Sequence, residues 1–191
     1  MVELNPPLVL ASASPQRRKL LERLGLSFTV RPTHVVELER GDPAEVAVEN
    51  ALRKARAARL SDTKETILGV DTLVALDSRI YGKPASEREA RETIAALAGA
   101  THTVLSGVAL LRGDRKQVAL ATTEVVFRDC DEQLIGRYVA SGEWREKSGG
   151  YAIQGLGAML VREIHGDYEN VVGLPLATLL DLAPELLARV P

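Results

Sequence analysis

Residues 8–25 read LVLASASPQRRKLLERLG, from Leu8 through Ser12, Ser14, Pro15, Gln16, Arg17 and Arg18 to Gly25. The apolar run ahead of Ser12 reads as a short buried strand. Ser14 as N-cap and Pro15 at the first helical position then open a helix. Leu20, Leu21 and Leu24 share one face of it, and Gly25 ends it. A strand turning at once into a helix is the first unit of a layered α/β fold.

Outward from there the alternation continues. Ser27 to Arg31 reads as a strand, and Asp42-Pro43-Ala44-Glu45 starts a helix that runs to Leu60. Ile67 to Val70 is an apolar strand that ends in Asp71 and is followed by Leu73 to Leu76, a turn at Asp77-Ser78 and a loop at Tyr81–Pro84. Ser86 to Glu89 is a second capping box, opening a helix that Gly99 closes. Thr101 to Leu111 and Gln117 to Phe127 are strands joined through Gly113-Asp114. Asp131 to Ala140 reads as a helix and Ser148 to Gly157 as a glycine-rich loop or distorted strand. Ala158 to Ile164 is a strand and Pro175 to Arg189 a closing helix. The fold class is α/β with a mixed sheet.

Composition narrows the function. The chain has 191 residues, which suggests one domain or two lobes on one core. Apolar residues make up 46% and charged residues 26%, and both values argue for a globular protein. Lysines and arginines number 24 against 26 acidic residues, a net charge of −2 that argues against nucleic-acid or membrane-surface binding. Aromatic residues, at 4%, are too few for a row of base-stacking platforms. Cys130 is the only cysteine, so neither an internal disulfide nor a cysteine-based zinc cluster can form. The longest uncharged stretch, Thr93 to Leu111, is broken by Gly99, Thr101, His102 and Gly107 and reads as a helix end followed by a strand, not a membrane span. No targeting segment is evident, and a soluble, cytoplasmic protein is expected.

Several polar residues stand in unusual places. Ser12, Ser14, Gln16 and Arg17 lie where a buried strand meets a helix N-terminus, a natural phosphate cradle. The plain alternative is an ordinary N-cap with a solvated basic turn. Helical spacing puts Lys54 on the stripe of Ala47, Ala51 and Ala58 beside Asn50, with Arg56 and Arg59 on the other face. An inward lysine needs a partner, so Lys54 reads as a pocket residue. Asp71 is a carboxylate at the end of an apolar run, where α/β sheets gather ligands; a turn-capping aspartate is the bland alternative. Lys83 and Lys147 are individually weak signals, as is Gln154 amid glycines. His34, His102 and His165 are scattered and read as surface or strand-end residues. Together, Arg17, Lys54, Lys83 and Lys147 with Glu37 and Asp71 suit a polyphosphate carrying a hard divalent cation.

Four stretches carry a family resemblance: LVLASASPQRRKLLERLGL, ENALRKARA, ILGVDTLVALDSRIYGKP and EKSGGYAIQGLGAMLVREIHGDYENVVGLP. In this order, from Leu8 to Leu180, the chain resembles the Maf family of nucleoside triphosphate pyrophosphatases. The resemblance implies a two-lobed α/β body, with a twisted mixed sheet flanked by helices and a central cleft, related in shape to the inosine triphosphatases. Residues 1–191 are then a single Maf-like domain. It also implies cleavage of a nucleoside triphosphate to monophosphate and pyrophosphate with a divalent cation, Mg²⁺ or Mn²⁺. Asp71 takes the place of the family's aspartate, as general base or metal ligand, with Glu37 as the upstream acidic residue of the metal site. Ser12, Ser14, Arg17, Lys54, Lys83 and Lys147 fall on the phosphate-binding side. Thr72 and Gln154 match the dTTP/UTP branch, while Gln16 replaces the first arginine of the family's SPRR. CTP and modified pyrimidine nucleotides stand as further candidate substrates, and a homodimer as an open expectation.

The implied mechanism has a metal polarising the α-phosphoryl group and a water, oriented by Asp71, attacking in line while Arg17 and the lysines neutralise the departing pyrophosphate. Two other classes compete. A nucleotide-binding regulator of septum formation would bind without turnover, and the carboxylates weigh against it. A nucleic-acid-binding regulator conflicts with the charge and the few aromatics.

Overall fold

The cap at Ser14 forms as its sequence requires, with the Ser14 hydroxyl accepting from the Arg17 N–H and Pro15 opening the helix. This is seen in a computed structural model that describes residues 7–60 and 64–189. β1 (Leu8–Leu10) runs through this turn into α1 (Pro15–Arg23) and on to β2 (Phe28–Val30). Asp42 caps α2 (Pro43–Ala57) by accepting from the Ala44 and Glu45 N–H groups. β3 (Thr66–Leu76) turns through Asp77-Ser78 into β4 (Arg79–Tyr81), and Ser86 caps α3 (Glu87–Leu97). The long hairpin of β5 (Thr101–Arg112) and β6 (Arg115–Phe127) follows, then α4 (Glu132–Ala140), β7 (Val161–His165), α5 (Tyr168–Val172) and α6 (Leu176–Leu182). Short 3₁₀ helices occupy Ser148–Gly150, Leu156–Met159 and Pro184–Arg189.

The strands form one mixed sheet in the order β2-β1-β3-β5-β6-β7, with β4 also on β3. β1 is parallel to β2 and β3, and the other pairings are antiparallel. Alternation along the strands divides the core. Leu8, Leu10, Leu68, Val70, Val108 and Leu110 pack with the leucines of α1 and α6. Val9, Ile67, Ala109 and Leu111 meet the alanines of α2 on the opposite face. Trp144, Tyr138, Phe127 and Ile94 centre a third cluster further along the sheet. Each large side chain buried this way contributes about 1.5–3 kcal/mol.

One detail of register makes room for a site. β3 pairs with β1 only over Thr66–Leu68 and with β4 only over Val74–Leu76, while β5 runs along it from Thr66 to Ala75. Residues 69–73 therefore lie in a gap between two partner strands. Asp71 and Thr72 are in that gap.

Three sequence expectations are corrected and one short helix is added. Asp71 does not end a strand: β3 is continuous from Thr66 to Leu76, because partners from α2 meet the charge that would otherwise interrupt it. His102 lies near the start of β5 but is buried, donor or acceptor to the Tyr151 hydroxyl at 2.9 Å, and burial holds its pKa down at about 4. The closing helix stops at Leu182, since Pro184 has no N–H to give and would clash with the carbonyl four residues back. α5, one turn and a half long, was not anticipated; it is capped by Asp167, whose side chain accepts from the Glu169 N–H.

Candidate active site

The site begins with how closely α2 lies on the sheet. Gly69 and Gly107 face it, and a Cβ on Gly69 would overlap the Ala51 carbonyl oxygen and come within 2.8 Å of the Ala55 nitrogen. A Cβ on Gly107 would overlap the Ala47 carbonyl in the same way. Gly107 is also the cross-strand neighbour of Asp71. Glycines on the sheet and alanines on the helix thus bring the α2 backbone close enough for two α2 side chains, Asn50 and Lys54, to reach Asp71.

Lys54 Nζ is 2.5 Å from Asp71 Oδ1 and 2.6 Å from Glu37 Oε1, and its side chain is only 11% exposed. Asp71 is buried, whereas Glu37, on the irregular segment 31–41, is 41% exposed at its side chain. Asn50 is fully buried one helical turn before Lys54 and donates to the second Asp71 oxygen, Oδ2, at 3.1 Å. Each oxygen of this carboxylate therefore has its own donor from α2. A half-neutralised, hydrogen-bonded carboxylate tolerates burial that an unpaired one does not. The stripe expected for Lys54 is confirmed, with Ala47, Ala51 and Ala58 buried and Arg56 exposed.

Arg17 is also buried. Its Nε donates to the Gly173 carbonyl at 2.8 Å, one terminal nitrogen to Ser12 Oγ at 2.9 Å and the other to Thr72 Oγ1 at 3.1 Å. None of these acceptors carries a full charge. Burial pulls the guanidinium pKa down, and the charges of Asp71 and Glu37 partly restore it. Thr72 also exchanges a hydrogen bond with Ser106 Oγ at 2.9 Å. The β1–α1 turn, β3 and the Gly173 turn are thereby tied together. Ser12 and Thr72 act here as acceptors for Arg17, a role that the sequence does not announce.

A cleft of about 850 Å³ joins these groups, within the range of small-molecule sites. Its lining includes Ser12, Ser14, Gln16 and Arg17 from the β1–α1 turn, and Glu37, Lys54, Asp71 and Thr72 from the centre. Lys83, Lys147 and Gln154 also line it, so all eleven residues expected for the site share one cleft. Lys83 meets Glu146 at 3.3 Å, both side chains being at least half exposed. Lys147 is half-buried and has no ion-pair partner among the described residues. Its pKa is lowered, first by burial and then by Lys83, against an opposing pull from Glu146 and Glu143. Ser148 Oγ donates to the Thr72 carbonyl at 2.8 Å, which fastens the Lys147 loop to β3. Gln16 Oε1 accepts from the Ser14 hydroxyl at 3.3 Å, and Gln154 is exposed.

No cluster of three or more His, Cys, Asp or Glu side chains suited to a metal occurs among the described residues. The donor set is instead two carboxylates, Asp71 and Glu37, which converge on one cationic centre, the Lys54 ammonium. That set fits a hard cation such as Mg²⁺, which commonly takes one or two carboxylates and completes its shell with water and substrate phosphates. Asn50, Ser106, Ser148 and Gly173 were missed at the sequence level. Only Asn50 had a visible signal, a polar residue on a stripe of alanines beside Lys54.

Comparison with known proteins follows the same lines. Residues 7–186 match the family model described as Maf-like protein. A protein of Gloeobacter violaceus named dTTP/UTP pyrophosphatase is 46% identical over 187 residues, covering 96% of this chain and 97% of that protein. One of the same name from Moorella thermoacetica is 49% identical over 179 residues, 92% of either chain. A third, from Pyrococcus furiosus, is 41% identical over 177 residues, 92% of this chain and 93% of its own.

Proposed function

Because the chain belongs to the Maf-like protein family, we propose that it is a nucleoside triphosphate pyrophosphatase acting on dTTP and UTP. It hydrolyses the α–β phosphoanhydride bond: a water oxygen bonds to the α-phosphorus, the bond to the bridging oxygen breaks, and monophosphate and pyrophosphate leave. The observation that carries this reading is a single cleft lined by a carboxylate pair, Asp71 and Glu37, and by the cations Arg17, Lys54, Lys83 and Lys147. A site built only to bind phosphate has little use for the carboxylates. The names of the relatives above support both the bond cleaved and the pyrimidine preference.

Asp71 keeps lone pairs beyond those given to Lys54 and Asn50, so it can orient the attacking water and accept its proton. Lys54, next to it, is the cation nearest the carboxylate pair and reaches phosphate oxygens by a small rotation of its flexible stem. Lys83 and Lys147 receive the charge that builds on the departing pyrophosphate. Ser12 and Ser14 border the phosphate path, with Arg17 held behind them by Ser12, Thr72 and Gly173. Asp71 and Glu37 would hold a divalent cation, which when bound supplies Lewis-acid polarisation of the phosphoryl oxygens. Gln16, Thr72 and Gln154 line the cleft and would read the base through hydrogen bonds, which discriminate strongly when left unmade.

No helix among the described residues is long and apolar enough to cross a membrane; a cytoplasmic location and a homodimer remain part of this proposal, as does a single domain over residues 1–191. The test is a panel of nucleotides with Mg²⁺ or Mn²⁺, scored for pyrophosphate. Release of pyrophosphate, fastest from dTTP and UTP, is expected. Orthophosphate with a diphosphate would assign the wrong bond, and a purine preference would remove the pyrimidine assignment.

A further inference from the structure

Asn50 makes more contacts with the site than a core amide needs. It is fully buried on α2, and all of its side-chain bonds leave the helix. Oδ1 accepts from the Leu38 N–H at 2.8 Å, and Nδ2 donates to the Leu38 carbonyl at 3.0 Å and to Asp71 Oδ2 at 3.1 Å. The amide orientation follows from these partners, since an N–H can face only the oxygen, and a carbonyl or carboxylate only the NH₂.

Leu38 is the residue after Glu37. The side chain of Asn50 therefore pairs with backbone on the segment that carries one carboxylate, and hydrogen-bonds the other carboxylate directly. Lys54, four residues on, is the second bridge, touching Glu37 and Asp71 themselves. The result is a closed ring: Asn50 to Leu38 and Glu37, Glu37 to Lys54, Lys54 to Asp71, and Asp71 back to Asn50. Segment 31–41 has no helix or strand of its own, and Val36 within it is 85% exposed. Such a segment needs a fixed point if its carboxylate is to stand opposite Asp71 at a set spacing.

We propose that Asn50 is a positioning residue that sets the geometry of the Glu37–Asp71 pair, anchoring the Glu37 segment through Leu38 while orienting Asp71 through Oδ2. The amide is the group suited to this place. It supplies one acceptor and two donors at once, and it carries no charge that would oppose Asp71. Aspartate has the same shape but would set a carboxylate against a carboxylate. Alanine would leave the Leu38 groups and one Asp71 oxygen without a partner. This inference rests on the pyrophosphatase reading for its kinetic consequence, but not for the tether itself.

The experiment has two arms, each comparing the wild-type chain with Asn50→Ala and Asn50→Asp after thermal melting has identified a temperature at which all three are folded. The first arm is limited trypsinolysis. Arg31 precedes Pro32 and resists trypsin, so Arg40 is the one site within residues 32–41. Cleavage after Arg40, followed by mass spectrometry, is expected to be at least about tenfold faster in Asn50→Ala, and an unchanged rate overturns the tether. The second arm is steady-state kinetics on the wild type's best nucleotide. The expected result is a fall in kcat of about tenfold in Asn50→Ala and about 10²-fold in Asn50→Asp, with KM within about threefold of wild type. A role in packing alone would put the alanine variant below the isosteric aspartate variant, or lower melting temperature without touching kcat, and either result overturns the proposal. If the wild type released no pyrophosphate, the functional reading would fall while the proteolysis arm still decided the tether.

Discussion

On one wall of the cleft Asp71, Glu37 and Lys54, with Asn50 bonded to Asp71, are linked at 2.5–3.1 Å, and all but Glu37 are largely buried. On the other, Lys83 reaches only an exposed Glu146 at 3.3 Å, and Lys147 has no ion-pair partner among the described residues. The first wall is preorganised, because its carboxylates are already oriented by fixed groups and only Lys54 has to turn when substrate arrives. The second is left under-compensated, with two lysines close enough that Lys83 helps to depress the Lys147 pKa. A polyanion is the partner that such a pair lacks. On the function proposed above, chemistry would belong to the buried wall and affinity to the open one, and substitutions should separate the two.

The largest effect is expected at Asp71. Asp71→Asn keeps the shape of the side chain but removes its charge and its capacity as a base, and kcat should fall by about 10²-fold or more with the fold intact. Assay of pyrophosphate release alongside circular dichroism checks this. Near-full activity would take Asp71 out of the mechanism and end the contrast between the walls. Next comes Lys54→Ala, which leaves Asp71 and Glu37 buried or half-buried without their shared cation. A loss of about 10²-fold in kcat/KM is expected, against little change for Arg56→Ala two residues away on the exposed face. Equal losses in these two variants would mean that the buried lysine has no special role.

The buried wall was legible in the sequence to different depths. Lys54 could be read from helical spacing because the stripe of alanines is local, within α2 itself. Asp71 was singled out by its place in an apolar run but misplaced at a strand end. The reason is that a charge in an apolar run usually stops a strand, and the groups that let β3 continue, Asn50 and Lys54, come from 21 and 17 residues away. Asn50 was visible only as a polar residue on the stripe of alanines, since its role depends on Leu38 and Asp71 arriving together. Glu37 was only one carboxylate of the set suited to a polyphosphate, and its metal role came from the family resemblance, because segment 31–41 has no periodicity of its own. The caps at Ser14, Asp42 and Ser86, by contrast, all formed as expected, each being a contact within three residues. Local rules were readable; convergence across the sheet was not.

Smaller effects belong to the open wall. Lys83→Ala and Lys147→Ala should each raise KM about tenfold and leave kcat within about threefold, the pattern of lost charge-assisted phosphate contacts. A fall in kcat equal to that of Lys54→Ala would erase the distinction between the walls. Lys147 also gives a pH test. Only its protonated form attracts phosphate, and its pKa lies below the ordinary lysine value, so its charge is lost earlier as pH rises. The alkaline limb of kcat/KM should therefore set in below the usual lysine range. Lys147→Arg, which stays charged, should move that limb upward. An unmoved limb would assign it to another group.

The smallest expected effect is on base choice. Gln154 is exposed on the glycine-rich loop and Gln16 lies on the β1–α1 turn, so both border the cleft without taking part in the buried ring. An amide both donates and accepts, matching the adjacent carbonyl and N–H of a uracil or thymine edge. Arginine, the residue that the family motif carries at position 16, only donates and keeps its charge. Gln16→Arg should accordingly narrow the range of nucleotides turned over, and Gln154→Ala should lower the preference for dTTP and UTP by roughly three- to tenfold, the size of one or two neutral hydrogen bonds. Relative kcat/KM values across dTTP, UTP, CTP, ATP and GTP measure this directly. The ranking should change while the best rate stays within about threefold of wild type, because neither glutamine touches Asp71 or Lys54. Should kcat fall uniformly across all five nucleotides, the loops that carry these glutamines would be part of the chemical wall, and the cleft would no longer divide into a fixed half and an adaptable one.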